Sequence, residues 1–402
     1  MNNALNYLPI MLTGEELKKA LLVLPPYDES IRNASTAERL IELSKLYDVY
    51  LPSSMSEEIY CKLYLALLRS LQKKYTKTAM IQGNMNRQHR IQDGVIGGSD
   101  SFTLLGLSGI GKSTAIKRAI ELIAPNLVIE TDNASKIAPV IIVQTPYDCS
   151  VKGLLLEILR AVDELLDTSY YKNSIRAKAT TDALIGAVAN VCLHSVGLLV
   201  LDEFQNVCGK NGNNLLGVLL NLINASGVSV AMVGTLETKA FFSNATFQLS
   251  RRSLGLEYTN LNLDDYFYEL CKTLTKYLYV KNDFTLTDEM VNWLYTHSQG
   301  ITSVVISLIK DAQEIAILEG IETLSVATLN KAYNQRLSLL HNHITLPTIK
   351  HTYKKKMFSS IEPTVDIVDE NYISSMIVQV KKNGGDLVMA LQQYIKIIEV
   401  KI

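Results

Sequence analysis

The sequence predicts an α/β fold in which a parallel sheet is covered on both faces by helices, followed by a smaller region built only of helices. Between residue 101 and about residue 260, short apolar runs alternate with segments whose apolar residues recur every three or four positions. A glycine-rich loop joins the first apolar run to a helical segment, and from about residue 262 onward only the helical spacing remains. Because strands that alternate with helices are joined by crossover connections, we expect the sheet to be parallel.

Four nearly continuous apolar runs are predicted to be strands, since strands buried on both faces lack the polar alternation of half-exposed ones. The four runs are Phe102–Leu105, Val140–Val143, Leu198–Leu201 and Val228–Val233. Helical spacing is found over residues 114–123, 151–166, 180–194 and 213–224. Residues 81–261 are therefore predicted to form one α/β domain.

Helical segments flank this domain on both sides. Residues 1–80 are predicted to be a helical N-terminal extension, with a clear helix over Ser56–Leu71 that Ser54 or Ser56 would cap. A polar, glycine-containing connector over residues 82–100 leads into the first strand.

Residues 262–340 are predicted to be a small helical lid, and residues 341–402 a linker and C-terminal tail that binds partners. The lid has four helical patterns, Leu263–Tyr279, Thr287–Ser298, Thr302–Glu319 and Ser325–Leu340, with Thr287 and Ser325 at N-cap positions and Gly300 and Gly320 at helix ends.

Composition limits the possible partners and compartment. With 39 basic and 40 acidic residues the charge is balanced, so contact with nucleic acid would need a local basic patch. The five cysteines show no pair at metal-ligand spacing, which fits a reducing interior. The start of the chain has no signal-peptide pattern, and residues 183–201 are better explained by a buried helix and a core strand than by a membrane span. We expect a soluble cytoplasmic protein without membrane partners.

The glycine-rich loop reads Gly106-Leu-Ser-Gly-Ile-Gly-Lys-Ser113, a complete P-loop between a strand and a helix. Its backbone N–H groups are expected to hold the phosphates of ATP at the helix N-terminus. Lys112 is expected to reach the β- and γ-phosphates, and the Ser113 hydroxyl to bind Mg²⁺. The complete predicted set at the loop comprises Gly106, Ser108, Gly109, Ile110, Gly111, Lys112, Ser113 and Thr114.

An acidic pair, Asp202 and Glu203, directly follows the apolar run Leu198–Leu201. Ligands gather at the carboxyl ends of strands in doubly wound sheets. We therefore expect Asp202 to help bind the nucleotide and its Mg²⁺, and Glu203 to orient and deprotonate an attacking water. The two motifs together predict that the chain binds and hydrolyses ATP.

Beyond these motifs the chain resembles the TnsC/TniB regulators of DNA transposition, a branch of the AAA+ ATPases, over roughly residues 100 to 320. The resemblance rests on the P-loop and on the segments Ile141–Asp148, Cys149–Leu155, Leu201–Asn206, Val233–Thr235 and Phe247–Gly255. The leader, with Tyr27-Asp-Glu, Glu38-Arg-Leu and Met55-Ser-Glu-Glu-Ile-Tyr, resembles the extension of TnsC proteins rather than the shorter TniB type.

This resemblance implies an AAA+ ATPase that assembles into a ring or helical filament around double-stranded DNA. Such a homo-oligomer couples a target selector of the TniQ/TnsD type to the transposase TnsB, often with the endonuclease TnsA. The ATP state is then the switch, and hydrolysis, slow and stimulated by DNA or a partner, drives disassembly.

The resemblance also assigns roles to single residues. Thr235 would be the polar sensor that helps place the attacking water, although a plain strand-end threonine is the alternative. Arg251 or Arg252 would reach a neighbouring subunit's phosphate as an arginine finger; which of the two acts stays open. The helix after Gly300 has no arginine, its first basic residue being Lys310, so a second arginine sensor is absent from the expected place.

DNA contact is assigned to a basic patch with hydroxyls. Its predicted members are Lys152, Lys172, Arg176, Lys178 and Thr180, which would track phosphates without reading bases. Ordinary solvated surface charge is the alternative for these residues, and the Lys354–Lys356 run is best explained as a solvated linker.

Two other functions remain open from the sequence. One is a replication initiator or helicase loader, which would carry a helix-turn-helix or winged-helix module that residues 341–402 do not obviously encode. The other is a signalling switch NTPase without a DNA client, for which the usual repeat array is missing. The oligomer number, the target-site rule, the step gated by hydrolysis, and whether a CRISPR effector or a protein selects the target are not encoded in any recognisable pattern.

Overall fold

The computed structural model describes residues 7–74, 100–130, 136–208, 212–239 and 254–337. Its strands, in chain order, are β1 (Phe102–Gly106), β2 (Ile129–Glu130), β3 (Lys136–Gln144), β4 (Val196–Asp202), β5 (Ser229–Gly234) and β6 (Leu254–Tyr258). They form one six-stranded sheet in the order β2-β3-β4-β5-β1-β6. All neighbouring strands are parallel except the short pair β2 and β3. The predicted α/β fold with a parallel sheet is confirmed.

The strand register places three loops at one edge of the sheet. Leu105 of β1 pairs with Gly234 of β5, and Leu201 of β4 pairs with Met232 of β5. The carboxyl ends of these three parallel strands are therefore at nearly the same level. The P-loop, the acidic pair and the segment after β5 leave the sheet side by side.

Strands β2 and β6 were not among the four predicted from the sequence. β2 has only two residues, too few for any periodicity. β6 contains Gly255 and Glu257 between apolar residues and lies at the sheet edge beside β1, so it lacks the continuous apolar character of a central strand.

The core helices pack on both faces of the sheet. They are α4 (Lys112–Ile123), α5 (Val151–Leu166), α6 (Tyr170–Arg176), α7 (Thr181–Ser195) and α8 (Gly212–Ser226), numbered after the three leader helices. In β4, Leu199 and Leu201 pack with α5, α7 and α8, whereas Leu198 and Val200 pack against the opposite helical layer. This two-sided burial explains why the run is apolar without interruption.

The leader forms α1 (Gly14–Leu21), α2 (Thr36–Leu43) and α3 (Ser54–Lys74). Side chains of α3, together with α4, cover the second face of the sheet, so the leader is part of the core. The predicted N-caps Ser54 and Ser56 are wrong. The N–H of Ser56 donates to Ser53 Oγ over 3.3 Å and the N–H of Ser53 donates to Ser56 Oγ over 2.7 Å, so Ser53 caps the helix and Ser56 returns the bond.

The lid contains α9 (Asp265–Leu274), α10 (Asp288–Ser298), α11 (Thr302–Leu318) and α12 (Val326–Arg336). The predicted caps are confirmed, because Thr287 accepts from Met290 N and Ser325 accepts from Thr328 N. Gly300 and Gly320 follow α10 and α11 with positive φ. α9 is shorter than the predicted span, beginning after its own cap, Asp264, and ending at Leu274.

Residues 183–201 fold as most of α7 followed by most of β4, a helix and a core strand. Among the described residues, no helix combines the length and the apolar character needed to cross a bilayer. The predicted connector at 82–100 falls almost wholly outside the described residues, and the predicted tail at 341–402 falls outside them entirely.

Candidate functional site

The P-loop turns sharply between β1 and α4. Gly109 and Gly111 have φ angles of 80° and 94°, a region that L side chains rarely adopt, and Gly111 is the N-cap of α4. The first N–H groups of α4 are therefore presented at the carboxyl edge of the sheet, where the helix dipole favours an anion. The geometry is that of a phosphate cradle.

One cleft of about 290 Å³ brings together most of the predicted nucleotide residues. It is lined by Ser108, Gly109, Gly111, Lys112, Ser113, Thr114, Asp202, Glu203, Gln205, Gly234, Thr235 and Ser303. Gly106 and Ile110 are buried in the loop beneath it, where they shape the turn and do not line this cleft. Three of the lining residues, Gln205, Gly234 and Ser303, were not among the site residues predicted from the sequence.

Lys112 is the cation of this cleft. Its ammonium donates hydrogen bonds of 2.8 and 2.6 Å to the carbonyls of Gly106 and Leu107. Burial lowers the pKa of Lys112, while the nearby carboxylates of Asp202 and Glu203 oppose that shift by favouring the charged form. A phosphate entering the cleft would supply further negative charge to the same ammonium.

Asp202 and Glu203 lie where β4 ends. Asp202 Oδ1 accepts from the N–H of Glu203 over 2.9 Å, and the Asp202 carbonyl accepts from the N–H of Thr145 over 2.9 Å. Glu203 has a φ of 54°, a left-handed conformation that is strained for a residue with a Cβ. The turn leaves the Glu203 side chain exposed where it lines the cleft.

Thr235 follows β5 and faces the acidic pair across the cleft. Its N–H donates to Gln205 Oε1 over 3.3 Å, and Gln205 Nε2 donates to Glu203 Oε2. The Thr235 hydroxyl oxygen is buried and has no hydrogen-bond partner among the described residues. A buried hydroxyl without a partner is costly, so this group fits a ligand or water oxygen bound in the cleft.

The lid meets the P-loop directly. The N–H of Ser303, in the first turn of α11, donates to the Gly109 carbonyl over 3.0 Å. Gly109 has a φ of 80°, and a Cβ there would lie 2.3 Å from Ser303 Oγ, so a larger residue would be strained and would displace the serine hydroxyl. Lys310, the first basic residue of α11, pairs instead with Asp311 and Glu314 on its own helix. Among the described lid residues, the hydrogen bond to the loop comes from a backbone N–H and not from an arginine.

A larger cleft of about 1030 Å³ adjoins the phosphate cradle and shares Gly109, Gly111, Thr114 and Ser303 with it. Its other walls include α1, Tyr47, residues 49–55 and Glu57 of the leader, residues 257–262 at and after the end of β6, and the first turns of α9 and α11. A nucleoside attached to phosphates in the cradle has space here. The leader, core and lid thus all contribute to one nucleotide-sized site.

The residues present fit a nucleotide with its magnesium ion. The Ser113 hydroxyl and the Asp202 carboxylate are the oxygen ligands that Mg²⁺ prefers, and both line the cradle with Lys112. Arg251 and Arg252, the predicted arginine fingers, lie outside the described residues.

The predicted DNA residues do not form a single cluster. Lys152 is in the first turn of α5, whereas the cations Lys172, Arg176 and Lys178 follow that helix, and α5 extends over about 24 Å at 1.5 Å per residue. Asp163, near the end of α5, accepts from the N–H groups of Tyr170 and Tyr171 and so holds the start of α6 there. The four cations are exposed, and none forms an ion pair with any described residue.

Thr180 has a structural task in this region. Its hydroxyl accepts from the N–H of Ala183 over 3.4 Å and caps α7. A hydroxyl used in this way is a weaker candidate for phosphate contact than the neighbouring cations.

The solved structures that the chain matches include origin-recognition proteins. The Aeropyrum pernix ORC1 protein in complex with DNA matches at 17% identity over 64% of this chain and 64% of that chain, with a TM-score of 0.42. Drosophila ORC bound to DNA matches at 14% identity over 97% and 82%, with a TM-score of 0.44. The alignment spans slightly under two thirds of the archaeal protein's length.

The family comparison is more specific. No curated protein sequence matches the chain. The family model described as Bacterial TniB protein matches residues 73–256, which contain the P-loop, the acidic pair and Thr235 but end before the lid. Over this segment, which surrounds the nucleotide cleft and is slightly under half of the chain, the protein is similar to the TniB family of TnsC/TniB-like AAA+ ATPases.

Proposed function

We propose that this protein is an ATP hydrolase that regulates DNA transposition in the cytoplasm. In this proposal it binds double-stranded DNA in its ATP-bound form, assembles with further copies of itself, and couples a target selector of the TniQ/TnsD type to the transposase TnsB and its companion TnsA. Hydrolysis of ATP then drives disassembly. The observation that carries the proposal is the cleft in which Lys112, Asp202, Glu203 and Thr235 converge, within a segment that matches the TniB family.

The residues of the cleft divide the work of hydrolysis. The loop N–H groups and Lys112 hold the phosphates and stabilise negative charge that develops on them. Ser113 and Asp202 hold Mg²⁺, which neutralises phosphate charge when it is bound. Glu203 accepts a proton from the attacking water, and the Thr235 hydroxyl, buried and without a partner among the described residues, helps to place that water. Arg251 or Arg252 would act on the nucleotide of a neighbouring subunit.

DNA binding is proposed to rest on phosphate contacts from the exposed cations Lys152, Lys172, Arg176 and Lys178. Cations that contact phosphates and do not reach the base edges bind DNA independently of its sequence, and this binding weakens as salt rises. A protein that marks target DNA for a separate selector needs this kind of contact. Stimulation of ATP hydrolysis by duplex DNA would distinguish this function from a signalling NTPase, and a transposase gene next to this one would distinguish it from a replication initiator.

The proposal is tested by Glu203→Gln. This change keeps the size of the side chain and removes its ability to accept a proton, so hydrolysis should fall by about a hundredfold or more while ATP affinity stays within a few fold. The variant should also form a long-lived ATP-bound assembly on DNA. Lys112→Ala is the contrasting variant, since it should weaken ATP binding itself and prevent assembly. Wild-type turnover in Glu203→Gln would refute the assignment of the base.

A further inference from the structure

Gln205 lines the nucleotide cleft but has no part in the hydrolysis proposed above. It lies two residues beyond Glu203, in the short 3-10 turn Phe204–Cys208, and its side chain is half-buried. The turn is held on both sides of Gln205. The Phe204 side chain is fully buried in the core, and Asn206 donates from Nδ2 to the Thr145 carbonyl over 2.8 Å.

The amide of Gln205 connects the two groups that would act on water. Its Oε1 accepts from the backbone N–H of Thr235 over 3.3 Å, and its Nε2 donates to the carboxylate of Glu203. A backbone N–H can only donate and a carboxylate can only accept, so one orientation of the amide satisfies both partners and the reverse orientation satisfies neither. The side chain therefore forms a directed bridge from β5 to Glu203.

The residue opposite Gln205 leaves room for this bridge. A Cβ at Gly234 would lie 3.3 Å from both Gln205 N and Gln205 Oε1, and 2.9 Å from Thr238 Oγ1. A larger residue at the end of β5 would therefore push against the amide. The bridge also acts on a carboxylate whose backbone is already in a strained conformation, with a φ of 54° at Glu203. Such a residue keeps its position only when its surroundings hold it.

We propose that Gln205 is a positioning residue for ATP hydrolysis. It holds one carboxylate oxygen of Glu203 at a fixed position relative to Thr235, which leaves the other oxygen to accept the proton of the attacking water. Because it bonds to the end of β5 through Thr235 N–H, any shift of that strand end is passed to the base. The inference rests on the proposed function, since it requires Glu203 to act as the base.

Two substitutions separate the two arms of the bridge. Gln205→Glu keeps the length and the acceptor for Thr235 N–H but replaces the donor to Glu203 by a second carboxylate. Gln205→Met keeps the length and removes both hydrogen bonds. Neither changes a group that binds phosphate, so we expect kcat to fall by about ten- to a hundredfold in both variants, with the KM and Kd for ATP within threefold of wild type. The loss should be larger for Gln205→Glu because the two carboxylates repel each other.

The decisive measurement is a double-mutant cycle of kcat. A residue that acts through Glu203 should cause no further loss once Glu203 is replaced, so Glu203→Gln with Gln205→Met should hydrolyse ATP as slowly as Glu203→Gln alone. Additive losses in the cycle, or a kcat within twofold of wild type in both single variants, would overturn the inference. So would a parallel rise in KM and fall in the melting temperature, which would indicate a purely structural role. Absence of hydrolysis by the wild-type protein with DNA present would instead refute the proposed function, and this inference with it.

Discussion

At the scale of single residues, the cleft contains an unsatisfied polar atom where a ligand is expected. The Thr235 hydroxyl is buried and has no partner among the described residues, and the same is true of the Thr238 hydroxyl one turn further on. Only Thr235 lines the cleft. Groups of this kind reduce the stability of the free protein, and one that lines a cleft can be satisfied by a bound ligand or water.

Thr235→Val should therefore stabilise the nucleotide-free protein and slow its turnover. Valine has nearly the same shape, so the free energy of unfolding should rise by about 1 kcal/mol as the unsatisfied hydroxyl is removed. The kcat for ATP should fall by about tenfold or more, because water near the phosphate loses a hydrogen-bond partner. Urea unfolding and steady-state ATPase assays measure the two effects.

Thr238→Val is the matched control for this prediction. It removes a similarly buried hydroxyl outside the cleft, so it should stabilise the protein without changing kcat. Equal turnover in the two variants, at the wild-type level, would show that the Thr235 hydroxyl has no part in hydrolysis.

At the scale of elements, the leader holds the lid as well as covering the sheet. The guanidinium of Arg39 in α2 makes two hydrogen bonds, of 2.7 and 2.8 Å, with the carboxylate of Glu322 after α11. Arg32 donates to the carbonyls of Val280 and Lys281 over 2.9 and 2.7 Å. Since α3 packs on the core, the leader connects lid and core beside the larger cleft. Lid position and nucleotide binding are therefore expected to depend on these contacts.

Breaking the Arg39–Glu322 pair should destabilise the protein strongly. The two side chains are only 3% and 17% exposed, so Arg39→Met leaves a carboxylate with little water to replace its partner. The expected loss is about 3 kcal/mol. The double variant Arg39→Met with Glu322→Gln should lose less than the sum of the two single losses, because no charge then remains unpaired. Urea unfolding of all four proteins measures the coupling, and simple additivity would contradict it.

The same pair predicts a pH dependence. Hydrogen bonds from Arg39 lower the pKa of Glu322 from its ordinary value of 4.5. The folded state therefore binds fewer protons than the unfolded state between the two pKa values, and stability rises with pH in that interval. The contribution of the pair should be complete above about pH 5 and disappear as the pH falls through the folded pKa. Glu322→Gln should show a shallower loss of stability in acid than wild type, and an identical slope would contradict the assignment.

At the scale of the whole molecule, the exposed cations proposed to bind DNA lie in two groups. Lys152 is near the carboxyl edge of the sheet, at the start of α5, while Lys172, Arg176 and Lys178 follow the other end of that helix. A duplex that contacts one group need not contact the other. The two groups can therefore be tested separately.

Two variants test the two groups, Lys152→Ala and the triple variant Lys172→Ala, Arg176→Ala, Lys178→Ala. We expect DNA binding by each variant to depend less steeply on salt than binding by the wild type, with the larger reduction in the triple variant. Each phosphate contact that is lost reduces the magnitude of the slope of log K against log salt by roughly 0.9. The reduction should not depend on DNA sequence, because counterion release depends on charge and not on bases. Lys276→Ala in the lid, which removes another exposed charge, is the control and should leave the slope unchanged. An unchanged slope in both test variants would place DNA binding elsewhere.

Subunits of an assembly should be able to complement each other in hydrolysis. An arginine finger acts across a subunit boundary, so an Arg251→Ala, Arg252→Ala protein mixed with Glu203→Gln should regain part of the hydrolysis that each lacks alone. Mixed interfaces then combine an intact base with an intact finger. No recovery at any ratio, in proteins shown to co-assemble, would argue against either arginine acting in trans.

The sequence alone was sufficient to predict the nucleotide cleft's main residues, because their motifs are local. The P-loop, Asp202 and Glu203 are each recognisable from a few consecutive residues, and hydrophobic periodicity placed them on the right strands and helices. The caps Thr287 and Ser325 were predictable for the same reason, since a cap and its partner are three residues apart.

The tertiary structure alone decided which distant residues meet. Gln205 bridges to Thr235 thirty positions away, Ser303 contacts Gly109 across almost two hundred, and the leader's arginines bind the lid. Such contacts depend on strand order, register and the direction of each helix, which are set by packing of the whole core and leave no periodic signal in any local stretch of sequence.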